Sequence, residues 1–196
     1  MNWTLVAWRW APRLPQTLTG AIFDIIAVGT WARHGKGVRQ LERNLARVCP
    51  DASERTLRRL SRRAMVAYMR YYHEIFHVSH LTPAQVVARI RPIGRERLEA
   101  AMAEGRNPVL ALAHMGNWDM AGAWATREVG AVTTVAERLE SSEVFDEFVA
   151  MRAAIGLTIV PSDPGKVFGP LLAAATSDKH GFVPVLADRD LSRRGI

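Results

Sequence analysis

Residues 110–124 read Leu-Ala-Leu-Ala-His-Met-Gly-Asn-Trp-Asp-Met-Ala-Gly-Ala-Trp. An apolar run ends at His114, the pair Gly116-Asn117 breaks it, and a helical pattern opens around Asp119. The spacing predicts a buried strand over Val109–His114, a tight turn, and a helix over Trp118–Val129. A strand that delivers an imidazole to its carboxyl end, beside a helix N-terminus with a carboxylate, builds a general base for a hydroxyl nucleophile. His114 is therefore the candidate base, because an imidazole exchanges its proton near neutrality. Asp119 has two readings that can hold together. It accepts the second imidazole N–H, or it stabilises the N-terminus of its helix. Asn117 suits the N-cap, and Gly116 suits a tight turn close to substrate.

The same alternation continues along the chain. Val132–Ala136, Gly156–Pro161 and Phe182–Ala187 read as strands, and Ser142–Ala154 and Gly165–Thr176 as helices. Upstream, Arg95–Ala103 reads as a helix and Gly105-Arg106-Asn107-Pro108 as a turn. Strands alternating with helices imply an α/β fold, with a central mixed sheet, or a largely parallel one, flanked by helices. The first ninety residues read differently. Helices are expected over Thr17–Ala32, Val38–Val48 and from Ser53 to about Val78. Thr82-Pro83 caps a short helix, and a brief strand follows near Ile90–Ile93. The reading is one domain over residues 1–196, with a helical part to residue 90 and an α/β part from residue 91.

Composition narrows the class. At 196 residues, with 48% hydrophobic residues and a mean hydropathy of −0.03, the chain is globular and builds one sizeable core. The net charge of +7 is unevenly placed. Residues 1–70 hold 13 Lys/Arg against 4 Asp/Glu, a net of +9, and the remainder is slightly acidic. That asymmetry points to a polyanionic partner, either anionic lipid or nucleic acid. No nucleic-acid recognition motif accompanies it, so nucleic acid is not the expected partner. Cys49 is single, which excludes an intrachain disulfide and a cysteine-based metal site. The longest apolar stretch, Leu18 to Ala32, is broken by Asp24 and two glycines and falls short of the ~20 residues that span a bilayer.

Peripheral membrane contact is the expected alternative to a span. Trp3, Trp8, Trp10 and Trp31 mix with Arg9 and Arg13, a pairing that favours the membrane interface or, equally, bulky core packing. Arg55, Arg58, Arg59, Arg62 and Arg63 recur at helical spacing; such a stripe is either a solvated face or a headgroup-facing patch. His73, His77 and His80 share a helical spacing that could suit zinc, but only Glu74 accompanies them, so no metal is expected. Neither a dinucleotide nor a P-loop glycine fingerprint occurs.

The block His-x-Gly-Asn-Trp-Asp resembles the lysophospholipid-type and lipid A-type acyltransferases. Within them it is most similar to the actinobacterial phosphatidylinositol mannoside acyltransferases. Thr-Thr-Val-Ala-Glu-Arg-Leu (133–139), Phe-Val-Ala-Met-Arg (148–152) and Leu-Ala-Asp-Arg-Asp-Leu-Ser-Arg-Arg-Gly (186–195) follow in the same order. The likeness is strongest from Val109 to Ile196.

The resemblance implies a peripheral enzyme on the cytoplasmic face of the plasma membrane. It would move a long acyl chain from acyl-CoA to a mannose hydroxyl of a mannosylated phosphatidylinositol. Acyl-CoA is a co-substrate, and no cofactor or metal is implied. A base, not a Ser or Cys nucleophile, would drive one direct transfer. It also implies that Asp188 joins His114 as orienting partner; relatives carry Glu there, one methylene longer. Arg152 falls on an arginine of the family's groove, against substrate with Gly116 and Asn117. Arg58, Arg59 and Arg62 would face the membrane. The family pattern continues past Ile196 through a Phe-Phe-Gly block and further strands, so the sheet is expected to be incomplete. The rivals are transfer to another glycolipid or lysophospholipid, a basic nucleic-acid-binding module, and a lipid-binding scaffold without catalysis.

Overall fold

The structure is a computed structural model that describes Val6 and residues 10–188. The expectations for Trp3, Trp8, Arg9 and the end of the last block lie outside the described residues. The chain divides into two compact units, one ending at His77 and the other beginning at Val78. This boundary falls earlier than residue 90.

The first unit is helical. A 3-10 turn at Ala11–Arg13, with Pro12 setting its backbone, leads into α1 (Gln16–Ala32). Then come α2 (Lys36–Val48) and α3 (Glu54–Val78). One face of α1 buries Thr19 and Ala27, two turns apart. A polar network ties the three helices together. Glu42 on α2 accepts hydrogen bonds from His34 Nε2 at 2.7 Å, Arg58 Nη1 at 2.8 Å and Ser61 Oγ at 2.8 Å. Trp31 Nε1 donates to the buried Ser61 hydroxyl at 2.9 Å, and the Arg58 guanidinium lies 4.0 Å over the Trp31 ring. Burial alone would raise the Glu42 pKa, but the bonds from His34, Arg58 and Ser61 outweigh it and bring it to about 2.

His73 and His77 are absorbed by packing. Thr19 Oγ1 lies 2.9 Å from His73 Nε2, and His77 Nδ1 lies 2.7 Å from the His73 carbonyl. Among the described residues no group of three side chains could hold a metal, and no helix is long and apolar enough to cross a membrane.

The second unit begins with α4 (Pro83–Val87), started by a capping box in which Thr82 and Gln85 bond each other's backbone N–H. The strand expected near Ile90–Ile93 does not form. Pro92 has no N–H to give a ladder, Ile93 is exposed, and Gly94 at φ +78° turns the chain into α5 (Arg95–Ala103). Four strands follow with a helix between each pair: β1 (Val109–Leu112), α6 (Trp118–Glu128), β2 (Ala131–Ala136), α7 (Ser142–Ala154), β3 (Leu157–Pro161), α8 (Phe168–Ala175) and β4 (Gly181–Leu186).

The strand order is β1-β4-β2-β3, and every described pairing is parallel. Of the mixed and largely parallel sheets expected, the mixed one is corrected: the described sheet is small and parallel, because a helix crosses over between successive strands. Two positions let β4 enter between β1 and β2. Asn107 donates through Nδ2 to the carbonyls of Ala174, Ser177 and Lys179 and accepts from the Gly181 N–H, clamping the turn before β4. Gly181 itself has no room for a Cβ, which would stand 2.7 Å from the Ala131 carbonyl oxygen.

The core lies between the sheet and its helices, with Val132, Ile155, Phe182 and Val183 buried. β1 departs from the expected buried strand. It is an edge strand paired with β4, and Val109 and Leu112 remain 63% and 41% exposed. An apolar run of four residues carries no information about whether both of its faces are covered.

Candidate active site

The register of the sheet makes the site. Leu112 and Leu186 are partners at the carboxyl ends of β1 and β4, and the Ala187 N–H bonds the Leu112 carbonyl at 2.8 Å. Two residues further on, each chain presents one functional side chain. His114 Nδ1 lies 2.7 Å from Asp188 Oδ1, and the backbone N–H of His114 donates to Asp188 Oδ2 at 3.0 Å. One carboxylate thus grips His114 at both its ring and its backbone. A carboxylate oxygen only accepts, so Nδ1 carries the hydrogen and the lone pair of the neutral ring sits on Nε2. The bonds from the His114 ring and backbone hold the Asp188 carboxyl below the usual carboxylate range. Both side chains remain open to solvent. Trp118 meets the imidazole edge-on, with ring centroids 5.4 Å apart.

The turn after His114 is built as the spacing predicts. Gly116 has φ +64°, a conformation L side chains rarely adopt. Asn117 caps α6, its Oδ1 accepting from the Met120 N–H at 2.9 Å. Gly116 and Asn117 therefore shape the loop that carries the imidazole.

Asp119 and Arg152 meet each other. Asp119, in the first turn of α6, is 1% exposed, and Arg152 Nε from the last turn of α7 bonds it at 2.7 Å. Arg152 is 16% exposed and its guanidinium also faces the Phe148 ring at 5.5 Å. Of the two readings of Asp119, the orienting carboxylate at the imidazole's Nδ1 is instead Asp188. Asp119 keeps its first-turn position and locks α6 to α7 through Arg152. Arg152, expected against substrate, is turned onto this buried carboxylate. Arg58 likewise turns to Glu42 and Trp31, whereas Arg59 and Arg62 are exposed.

One pair was not anticipated. Arg138, two residues past β2, bonds Asp163, two residues past β3, through Nε and Nη2. No periodicity links residues 25 apart; only their equivalent placement after two strands would have signalled it.

The chain matches the family of bacterial lipid A biosynthesis acyltransferases over residues 2–196. It belongs to that family. Among characterised relatives, it is 33% identical over 191 residues to the phosphatidylinositol mannoside acyltransferase of Mycolicibacterium smegmatis (strain ATCC 700084 / mc(2)155), covering 96% of this chain and 62% of that protein. It is 33% identical over 198 residues to the phosphatidylinositol mannoside acyltransferase of Mycobacterium tuberculosis (strain ATCC 25618 / H37Rv), covering 100% and 62%. The chain thus spans about three fifths of the length of these relatives.

Proposed function

We propose that this chain carries the acyl-transfer centre of an enzyme that moves a long acyl group from acyl-CoA to a mannose hydroxyl of a phosphatidylinositol mannoside. The observation that carries the reading is the His114–Asp188 pair, with a basic Nε2 at the solvent-open carboxyl edge of a parallel sheet. Nε2 takes the hydroxyl proton as the oxygen attacks the thioester carbonyl. Collapse of the tetrahedral intermediate breaks the C–S bond, and the departing thiolate takes the proton back from the imidazolium. Asp188 holds the tautomer and stabilises the imidazolium between the two steps. The direction of the proposal, towards a mannosylated acceptor, comes from the relatives named above.

The enzyme works, in this reading, at the cytoplasmic face of the plasma membrane. The helical unit supports interfacial contact. Leu18, Ile22, Ile25 and Ile26 stand exposed at helical spacing along α1. Exposed apolar residues on α1 and exposed Arg59 and Arg62 on α3 are the residue types that suit an anionic lipid surface.

The test is an assay of the chain with palmitoyl-CoA and mannosylated phosphatidylinositol, with lysophospholipid as control. Transfer to the mannoside is expected. Transfer to lysophospholipid alone would replace the acceptor, and transfer to neither would remove the enzymatic reading.

A further inference from the structure

The sheet has a second polar feature at the same edge as the histidine. His114, Asp188, Arg138 and Asp163 each stand two residues beyond the end of a strand: β1, β4, β2 and β3 respectively. The strand ends are level. Leu112 pairs with Leu186 and Ala136 with Pro161, and carrying the Val132–Phe182 register forward brings Ala136 beside Leu186. Neighbouring strands lie ~4.8 Å apart, so Arg138 stands about 10 Å along the edge from His114.

The topology opens a crevice at that point. From β1 to β2 and from β2 to β3 the chain moves one way across the sheet, and from β3 to β4 it moves back. Right-handed crossovers then put α6 and α7 on one face and α8 on the other. Accordingly, α7 packs on β3, whereas α8 packs on β4 and β2. The chains leaving β2 and β3 therefore diverge to opposite faces. Ligands of parallel sheets bind in the crevice outside the carboxyl ends at such a divergence. Arg138 and Asp163 occupy this one.

The chemistry there is that of an anion site with an internal occupant. The guanidinium of Arg138 is half exposed, presents Nε and Nη2 to the Asp163 carboxylate as a fork, and lies 5.2 Å from the Phe145 ring. The same fork fits a phosphate. An exposed pair of this kind adds little to stability, so the fold does not require Asp163 to keep it. Lys166 adds a further positive charge beside Asp163. Met115, Leu139 and Phe168, which follow His114, Arg138 and β3 at this edge, are exposed apolar side chains. Charge and apolar surface alternate as an amphiphile requires.

We infer that Arg138 binds the phosphate ester of an amphiphilic substrate at the crevice between β2 and β3, displacing Asp163, which holds the guanidinium in place until the substrate arrives. The inference rests on the acyl-transfer reading above for the identity of the substrate. The phosphate is that of the acyl-CoA donor or that of the phosphatidylinositol acceptor.

Two variants give opposite signs if Arg138 is a ligand group and the same sign if the pair is a structural bridge. Arg138→Gln is expected to raise the KM of the phosphate-bearing substrate about tenfold, the worth of one charge-assisted contact, with a smaller effect on kcat. Asp163→Asn frees the guanidinium and is expected to lower the same KM. Palmitoyl-pantetheine in place of palmitoyl-CoA, and octyl mannoside in place of the mannosylated phosphoinositide, assign the source. The change disappears with whichever analogue lacks the recognised phosphate. Shifts of the same sign in both variants, no shift in either, or shifts that persist with both analogues would overturn the site.

If the wild-type chain transfers no acyl group, calorimetric dissociation constants for palmitoyl-CoA and for deacylated glycerophosphoinositol mannoside replace KM. Opposite shifts would then keep the site while the catalytic reading falls, and absence of binding would remove the site itself.

Discussion

Asp188 sets the state of His114 through two bonds from one carboxylate. Asp188→Asn replaces an acceptor-only group with an amide that can present its N–H to the ring. We expect turnover to fall roughly 10²-fold or more, because a wrong tautomer removes the base. Asp188→Glu is expected to retain most activity, since the side chain is half exposed and has room for a methylene. Because the Asp188 pKa is lowered, the pair's contribution is complete above the usual carboxylate pKa and is lost only as pH falls through the lowered value. A pH–rate profile of the wild type checks that the contribution of the Asp188 carboxylate persists down to the usual carboxylate range. Equal and negligible effects of Asp188→Asn and Asp119→Asn on turnover would remove the carboxylate–imidazole arrangement. At this scale the placement of His114 just past a strand was legible in sequence, because the strand, the Gly116 turn and the Asn117 cap are all local signals. Which carboxylate holds the base was not legible from spacing, since Asp188 reaches His114 only through the β1–β4 register. The resemblance, not the periodicity, pointed to it.

Two ion-pair arrangements tie helices together, and each makes a prediction. Glu42 joins α2 to His34, which follows α1, and to Arg58 and Ser61 of α3. Its pKa of about 2 lies below the ordinary 4.5, so its stabilisation is present above pH 4.5 and lost as pH falls towards 2. Glu42→Gln should cost about 2 kcal/mol at neutral pH, the scale of hydrogen bonds to a charged group, and should flatten the acid loss of stability. Denaturant titrations across that pH range read both effects. Asp119 and Arg152 join α6 to α7. Arg152→Met takes the guanidinium from a buried carboxylate and should cost about 3 kcal/mol, and adding Asp119→Asn should restore part of it. Thermal denaturation of the single and double variants measures the recovery; independent, additive losses would contradict the lock. Neither pairing was readable in the sequence. Arg58 read as part of an exposed stripe because helical spacing assigns a face but cannot name the carboxylate of another helix that turns one member inward. Arg152 was placed in a groove by the resemblance, which does not name the carboxylate of α6 that it meets.

Over the whole molecule, most of the element order was legible and the strand order of the sheet was not. Apart from the strand expected near Ile90–Ile93, which does not form, helices and strands stand within a few residues of their expected positions because cap, turn and period signals agree locally. The parallel order β1-β4-β2-β3, and the exposure of β1, depend on which strands become neighbours, which no local window encodes. The basic surplus of the first seventy residues is divided between internal pairing, as at Arg58, and open surface, as at Arg59 and Arg62. Charge reversal at Arg59 and Arg62 should therefore weaken salt-sensitive binding to vesicles containing phosphatidylinositol. Ile25→Ser with Ile26→Ser on α1 should instead reduce the salt-resistant remainder. Flotation at low and high salt separates the two; unchanged binding in both, or equal competition by duplex DNA, would contradict the membrane-facing assignment.

All of these readings converge on one imidazole, and the most direct measurement is turnover of His114→Ala with palmitoyl-CoA and mannosylated phosphatidylinositol. Loss of at least ~10²-fold in a variant that keeps its wild-type melting temperature is the predicted result. Retention of most of the activity would contradict the account.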